Sequence, residues 1–325
     1  MVDETFEYEK YVTDKAGIKA MVEKYGVAVV PNVINAEECK SMVSGMWDYF
    51  EHISANWEKP LNRSDKKTWR GIYDLFPLHS MLFQHFNCGH AQASWDLRQN
   101  EKIVDIFVEI WNCERDDLLV SFDGFSFGMP PESTNRGWNG KPWYHTDQSY
   151  MRPDFECIQS WVTGLDVEEG DATLGVMEGS NKYHAEFREK FGVNNNADWY
   201  KLTDDEMKFY VDKGCEYKRI NCPKGSMVFW DSRTIHCGVG PLKGRKSSDM
   251  RAVIYLCYQP KSMCDAKNWT KKVYAFKNLR TTNHYPCKVK LFAENPRTYG
   301  MSLPDINVIE PPILTNLGKS LAGLT

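Results

Sequence analysis

At 325 residues, with 42% hydrophobic and 13% aromatic content, the chain carries enough apolar surface for a large buried core and does not read as disordered. A formal net charge of −4 and a pI of about 6.1 supply no global positive field, which argues against a nucleic-acid partner. The acidic, aromatic start has no apolar run of signal-peptide length, and no stretch of about 18 apolar residues follows it, so the expectation is a soluble, cytoplasmic protein with no membrane partner. Ten scattered cysteines without a CxxC pair read as reduced, mostly buried thiols.

In chain order, residues 13–25 place Ile18, Met21 and Val22 at helical spacing, and the apolar run GVAVVPNV at 26–33 suits a strand. Asn35 is positioned to cap a second helix, in which Met42, Met46, Trp47 and Phe50 recur every three to four residues. Residues 56–100 are irregular and rich in Trp, Phe, His and Arg, and WDLRQNEKIVDIFVEIW at 95–111 predicts a further amphipathic helix. From residue 118 the period shortens. LLVSFDGFSFG, CIQSWVTGLDV, SMVFWD, TIHCGVG and MRAVIYLCYQP are short β-rich segments separated by Gly, Pro and charged turns. Helices first and strands afterwards fit a double-sheet sandwich or jelly roll supported by helices. Residues 261–325 read as an irregular wrap over that core. The expected architecture is therefore α+β in a single domain over 1–325, with a mainly helical part at 1–115. A jelly-roll core follows at 116–262, then a C-terminal wrap at 263–325.

Three places in the chain carry chemistry. After the turn-rich stretch PPESTNRGWNGKP comes WYHTDQ, in which strand geometry would turn His145 and Asp147 to one face, able to bind one ion together. A competing pair, His184 and Glu186, sits in a helical stretch where residues two apart do not face each other, so both are assigned to a solvated helix face. Further on, a strand ending in a polar turn leads to a second strand that delivers His236. One carboxylate and two imidazoles occupy one face of an octahedral Fe(II) and leave three positions for a bidentate keto acid and O₂. The third place is Arg251, whose planar guanidinium suits the far carboxylate of such a keto acid.

The ordered series WYHTDQ, SWVTGLDVEEGDATLGVMEGSNKYH, KGSMVFWDSRTIHCGVG and MRAVIY resembles the phytanoyl-CoA dioxygenase family of Fe(II)- and 2-oxoglutarate-dependent oxygenases, and YGVAVVPNVINAEEC looks like that family's opening strand and helix. The resemblance implies a double-stranded β-helix (jelly-roll, cupin-like) core. By its motifs His145 and Asp147 match the family's HxD pair, His236 its distal histidine and Arg251 its cosubstrate arginine. Trp161 matches an aromatic lining the 2-oxoglutarate pocket. Two departures stand out: Gly238 takes a position where relatives often carry a hydroxyl, and PLKGRKSSD lengthens the turn between His236 and Arg251, which makes Arg245 an alternative anchor.

The function so implied is hydroxylation of an unactivated C–H bond of a small-molecule substrate, with Fe(II), 2-oxoglutarate and O₂ consumed or bound and succinate and CO₂ released. Asp147 argues against halogenation, which needs the carboxylate position empty. The alternatives are an inactive metal-binding scaffold or sensor of the same fold, a hydroxylase acting on a macromolecule, or a cupin-like enzyme that uses no keto acid. Gln148, Asp231 and Ser232 neighbour the ligands in sequence. The segment Trp57 to Arg70 reads as a solvated loop, with a cationic lid as the alternative.

Overall fold

Gly26 shows how the chain begins to organise. It ends the helix Ile18–Tyr25 in the left-handed region, with φ 79° and its N–H on the Val22 carbonyl, and turns the chain directly into the strand Val27–Val30. A Cβ there would lie 2.6 Å from Thr234 Oγ1, so glycine answers both the backbone geometry and the close approach. The computed structural model describes residues 5–138 and 142–325; the end of the turn-rich stretch before His145 lies outside these.

Among the described residues, one six-stranded sheet runs in the order Val27–Val30, Met227–Asp231, Ile158–Thr163, Arg251–Leu256, Phe125–Gly128, Leu82–Phe83, all neighbours antiparallel. The facing six-stranded sheet runs Thr5–Glu7, Tyr217–Ile220, Thr173–Met177, His236–Val239, His145–Thr146, Tyr200–Lys201, antiparallel except for the first pair. From Phe125 to Leu256 the chain passes repeatedly from one sheet to the other. This is the double-stranded β-helix in an α+β setting.

The two-residue period of the strands decides what faces the space between the sheets. Val27, Val29, Val228, Trp230, Trp161 and Val253 meet there, while Ala28, Phe229, Val162, Ile254, Phe125 and Phe127 point outward into a cluster with the helices. By the same alternation Gln159, Arg251 and Tyr255 share the inward face with Trp161 and Val253. Asn35 caps the helix Ala36–Ile53 through a reciprocal bond pattern with Glu38, and the helix buries Met42, Met46, Trp47, Phe50 and Ile53 against the sheet's outer face.

The structure departs from sequence expectation in particular elements. The helix expected at 95–111 is two, Gln92–Arg98 and Glu101–Trp111, because the Asn100 side chain accepts from Lys102 N–H and starts a new helix. The irregular wrap expected at 261–325 contains the helix Ala266–Lys277, capped by Asp265, and the shorter Asn316–Leu321, capped by Thr315. Strands Thr173–Met177 and Tyr217–Ile220 and helix Asp204–Asp212 also lie outside the elements expected. No helix among the described residues is long and apolar enough to cross a membrane.

Candidate functional site

His145 and His236 are register partners on adjacent antiparallel strands, and their rings stand 4.4 Å apart. Asp147 follows just beyond the strand end. Its N–H donates to the Ser232 carbonyl at 3.1 Å, and the Thr146 hydroxyl donates to the same oxygen at 3.0 Å, which pins the bend to the turn leading to His236. His145 Nε2 lies 3.5 Å from Asp147 Oδ1 and His236 Nε2 3.4 Å from Oδ2. The potential ligand atoms of the three residues all fall within 4.8 Å of one another.

The far side of each imidazole fixes its orientation. Nδ1 of His145 sits 3.2 Å from the Trp143 carbonyl, and Nδ1 of His236 lies 2.9 Å from the Thr234 carbonyl. A carbonyl only accepts, so each Nδ1 carries a proton and each Nε2 faces Asp147. Burial alone would raise the Asp147 carboxyl, but His145, His236 and His284 hold it well below the ordinary carboxylate range. Burial, assisted by His236, lowers His145 despite the attraction of Asp147. An ionised carboxylate with two imidazole nitrogens turned toward it is the donor set that a divalent transition metal requires.

Gln159 completes the support: its Nε2 donates to Asp147 Oδ2 at 3.0 Å and lies 3.3 Å from Ser232 Oγ. The sequence gives little sign of this role, because Gln159 sits in a strand that otherwise reads as core. Of the ligand neighbours singled out earlier, Gln148 donates instead to the Arg152 and Asp154 carbonyls and Asp231 pairs with Arg233. Ser232 alone of the three serves the site, through its carbonyl and its hydroxyl.

Arg251 and the three candidate ligands line one cavity of about 770 Å³. The guanidinium is held by Nε on Ser126 Oγ at 3.1 Å and Nη1 on the Ala172 carbonyl at 3.0 Å, and lies 5.3 Å from the centre of the Trp161 ring. Among the described residues no carboxylate pairs with it. Trp161 is wholly buried and supports Arg251 rather than lining the cavity. Arg245, by contrast, is committed to Glu132 at 2.8 Å and Asp171 at 2.7 Å and lies outside this cavity. Gly238 does line it, and a Cβ there would find its nearest neighbours at 3.9 and 4.0 Å, so the space that a hydroxyl side chain would fill is open.

One surface assignment needs correction. His184 is buried, not solvated: its Nε2 lies 3.0 Å from the Ser149 carbonyl and its ring stacks on Tyr150 at 4.3 Å, while Glu186 pairs with Lys213. Trp57 to Arg70 is, as expected, a mostly exposed loop, and none of it lines the cavity. Trp57 donates to the Asp305 carbonyl, Arg63 binds Glu51 and Asp48, and Trp69 packs on Trp47. The walls come instead from segments with no recognisable motif, Leu78 to Gln84 and Asn283 to Phe292, the second of which brings His284 to 4.0 Å from Asp147 Oδ2.

The model of the phytanoyl-CoA dioxygenase (PhyH) family matches residues 22–240, a span that contains His145, Asp147 and His236. Ava biosynthesis cluster protein O of Aspergillus versicolor is 24% identical over 269 residues, covering 80% of this chain and 83% of that protein. The solved structure of hypothetical protein JW0805 from Escherichia coli at high pH superimposes with a TM-score of 0.57 at 14% identity, covering 97% of this chain and 85% of that one. A putative oxidoreductase from Salmonella typhimurium LT2 gives 0.55 at 13% identity, with 96% and 86% covered. These two likenesses show the fold.

Proposed function

The chain belongs to the phytanoyl-CoA dioxygenase family, and on that premise we propose that it is an Fe(II)- and 2-oxoglutarate-dependent dioxygenase. The proposed reaction hydroxylates an unactivated C–H bond of a small molecule and yields succinate and CO₂. The observation that carries this reading is the joint presence, in one cavity, of a two-histidine, one-carboxylate set and a buried arginine that no carboxylate of the described chain neutralises.

His145 and His236 would hold Fe(II) through Nε2 and Asp147 through its carboxylate, a neutral–neutral–anionic set that suits a divalent ion and leaves one face open. Bound there with the keto acid, iron supplies the activation of O₂ needed to oxidise a C–H bond. Gln159 holds Asp147 Oδ2 and would leave the other carboxylate oxygen for the metal. Arg251 would receive the far carboxylate of 2-oxoglutarate. Ser126 and Ala172 hold the guanidinium in place before any ligand arrives, so little side-chain entropy remains to be lost on binding. Trp161 closes the side away from the cavity and keeps water from the charge pair. The cavity's size is that of a small-molecule site, and its mixed aromatic and polar walls favour such a substrate over a macromolecule.

Protein reconstituted with Fe(II) and supplied with 2-oxoglutarate in air should release succinate, and the rate should rise when a substrate-containing metabolite extract is added. His236→Ala should abolish succinate release while the melting temperature stays close to that of the parent. A fully loaded parent protein that makes no succinate under any extract would overturn the reading.

A further inference from the structure

The cavity walls carry six residues with formally charged side chains among the described ones, and most already have a partner or an assigned ligand. Asp147 belongs to the metal set and Arg251 to the cosubstrate. Asp198 pairs with Arg152, and Lys288 with Glu156 at 2.7 Å. Lys290 is exposed to solvent. That leaves Asp123.

Asp123 lies just before the strand Phe125–Gly128, between the two motif-free wall segments. Phe125 pairs in register with Phe83 on one side, and the Phe122 carbonyl accepts from Thr282 N–H at 2.9 Å on the other. Its Oδ1 accepts the Gly124 N–H at 2.7 Å. The Arg98 guanidinium binds its backbone carbonyl, at 2.6 Å, and not its carboxylate. No Lys or Arg nitrogen of the described chain lies within 4.0 Å of the carboxylate, which opens into the cavity. Burial pushes its carboxyl up to about 7, with Asp147 adding to the rise and the Gly124 N–H and Arg98 opposing it. On the same wall His284 presents a buried Nε2 with no hydrogen-bond partner among the described residues. A half-buried carboxylate whose nearest guanidinium, Arg98, is spent on its backbone carbonyl is only partly compensated, and a cation brought in by a ligand relieves it.

We propose that Asp123 anchors a cationic nitrogen, a protonated amine or a guanidinium, on the substrate that this cavity receives. Phe83 and Phe292 supply apolar surface near it, so the substrate class is an amine carried on an apolar or aromatic body. His284 Nε2 is placed to meet a second polar group of the same molecule. The inference rests on the reading of this cavity as a substrate site.

The test uses the full chain loaded with Mn(II) and 2-oxoglutarate in the absence of air, after binding of both has been measured in the same sample. Phenethylamine, tryptamine and agmatine are titrated beside the neutral isosteres 2-phenylethanol and tryptophol, with tryptophan fluorescence or calorimetry as readout, and the series is repeated on the metal-free protein. At least one amine should bind about 10-fold more tightly than the neutral isosteres. Asp123→Asn, which keeps the acceptor for Gly124 N–H, should erase that preference with the melting temperature and metal binding retained. Equal binding of amines and alcohols, no binding of any amine, or a preference that survives Asp123→Asn would each overturn the proposal. Failure of the protein to bind Mn(II) and 2-oxoglutarate would instead count against the dioxygenase reading, separately from the amine series on metal-free protein.

Discussion

Gln159 holds one oxygen of Asp147 at 3.0 Å, and a carboxylate so fixed presents its other oxygen in a constant direction. Gln159→Leu preserves bulk on a buried strand but frees the carboxylate to turn, so divalent-metal affinity should fall by about 10–100-fold, read by anaerobic titration, while the melting temperature changes little. The two arginines separate more sharply. Arg251→Ala removes the cation proposed to receive the keto acid and should weaken 2-oxoglutarate by roughly 2–5 kcal/mol. Arg245→Ala should leave keto-acid affinity unchanged but destabilise the fold by about 3 kcal/mol, because it strands Asp171 as an unpaired carboxylate that is only 5% exposed. Keto-acid titrations beside urea unfolding check both halves. At this scale the residues that announce a chemistry by type and spacing, His145, Asp147, His236 and Arg251, were legible in the sequence. Gln159, Asp123 and His284 were not, since each reaches the cavity only through the pairing of distant strands and none belongs to a local pattern.

The helix Ala266–Lys277 carries a lysine that faces the wrong solvent. Lys272 is buried, its Nζ donates to the Val120 carbonyl and lies 4.1 Å from the centre of the Phe122 ring. Burial, with Arg98 adding to it and the neighbouring cysteines opposing, moves its ammonium from the ordinary 10.5 down to about 7. Between these values the unfolded chain binds the proton and the folded chain does not, so the contribution of Lys272 to stability rises with pH. Below about 7 both states are protonated and the full cost of burying the charge remains. Lys272→Met should therefore exceed the parent in stability most below pH 7, and its advantage should shrink by up to about 1.4 kcal/mol per pH unit as pH rises from 7 toward 10. Urea unfolding of both proteins at three pH values measures this, and a gap independent of pH would contradict it. The same helix shows why element prediction failed here: with Lys272 and Ala275 its buried residues, it lacks the apolar stripe that marked Ala36–Ile53. Helix Asp204–Asp212 carries a readable signal in the Thr203 and Glu206 capping box.

At the scale of the molecule, the two sheets do one thing that no single strand can. They bring His145 and His236 from one sheet and Gln159 and Arg251 from the other into one space, with the walls completed by Leu78 to Gln84, inside the family-matched span, and Asn283 to Phe292, beyond it. The change of period at residue 118 made the layered β-fold legible, because alternation reports burial directly. The cavity's specificity was not legible, since Leu78 to Gln84 and Asn283 to Phe292 owe their position to long-range contacts. Anaerobic titration of the protein with Fe(II) and then 2-oxoglutarate tests the whole arrangement at once. One Fe(II) per chain should bind, and the keto acid should then produce a visible charge-transfer absorption that Arg251→Ala shifts to higher 2-oxoglutarate concentration and His236→Ala abolishes. Stoichiometric iron without that absorption at saturating keto acid, or an absorption indifferent to both substitutions, would contradict the account.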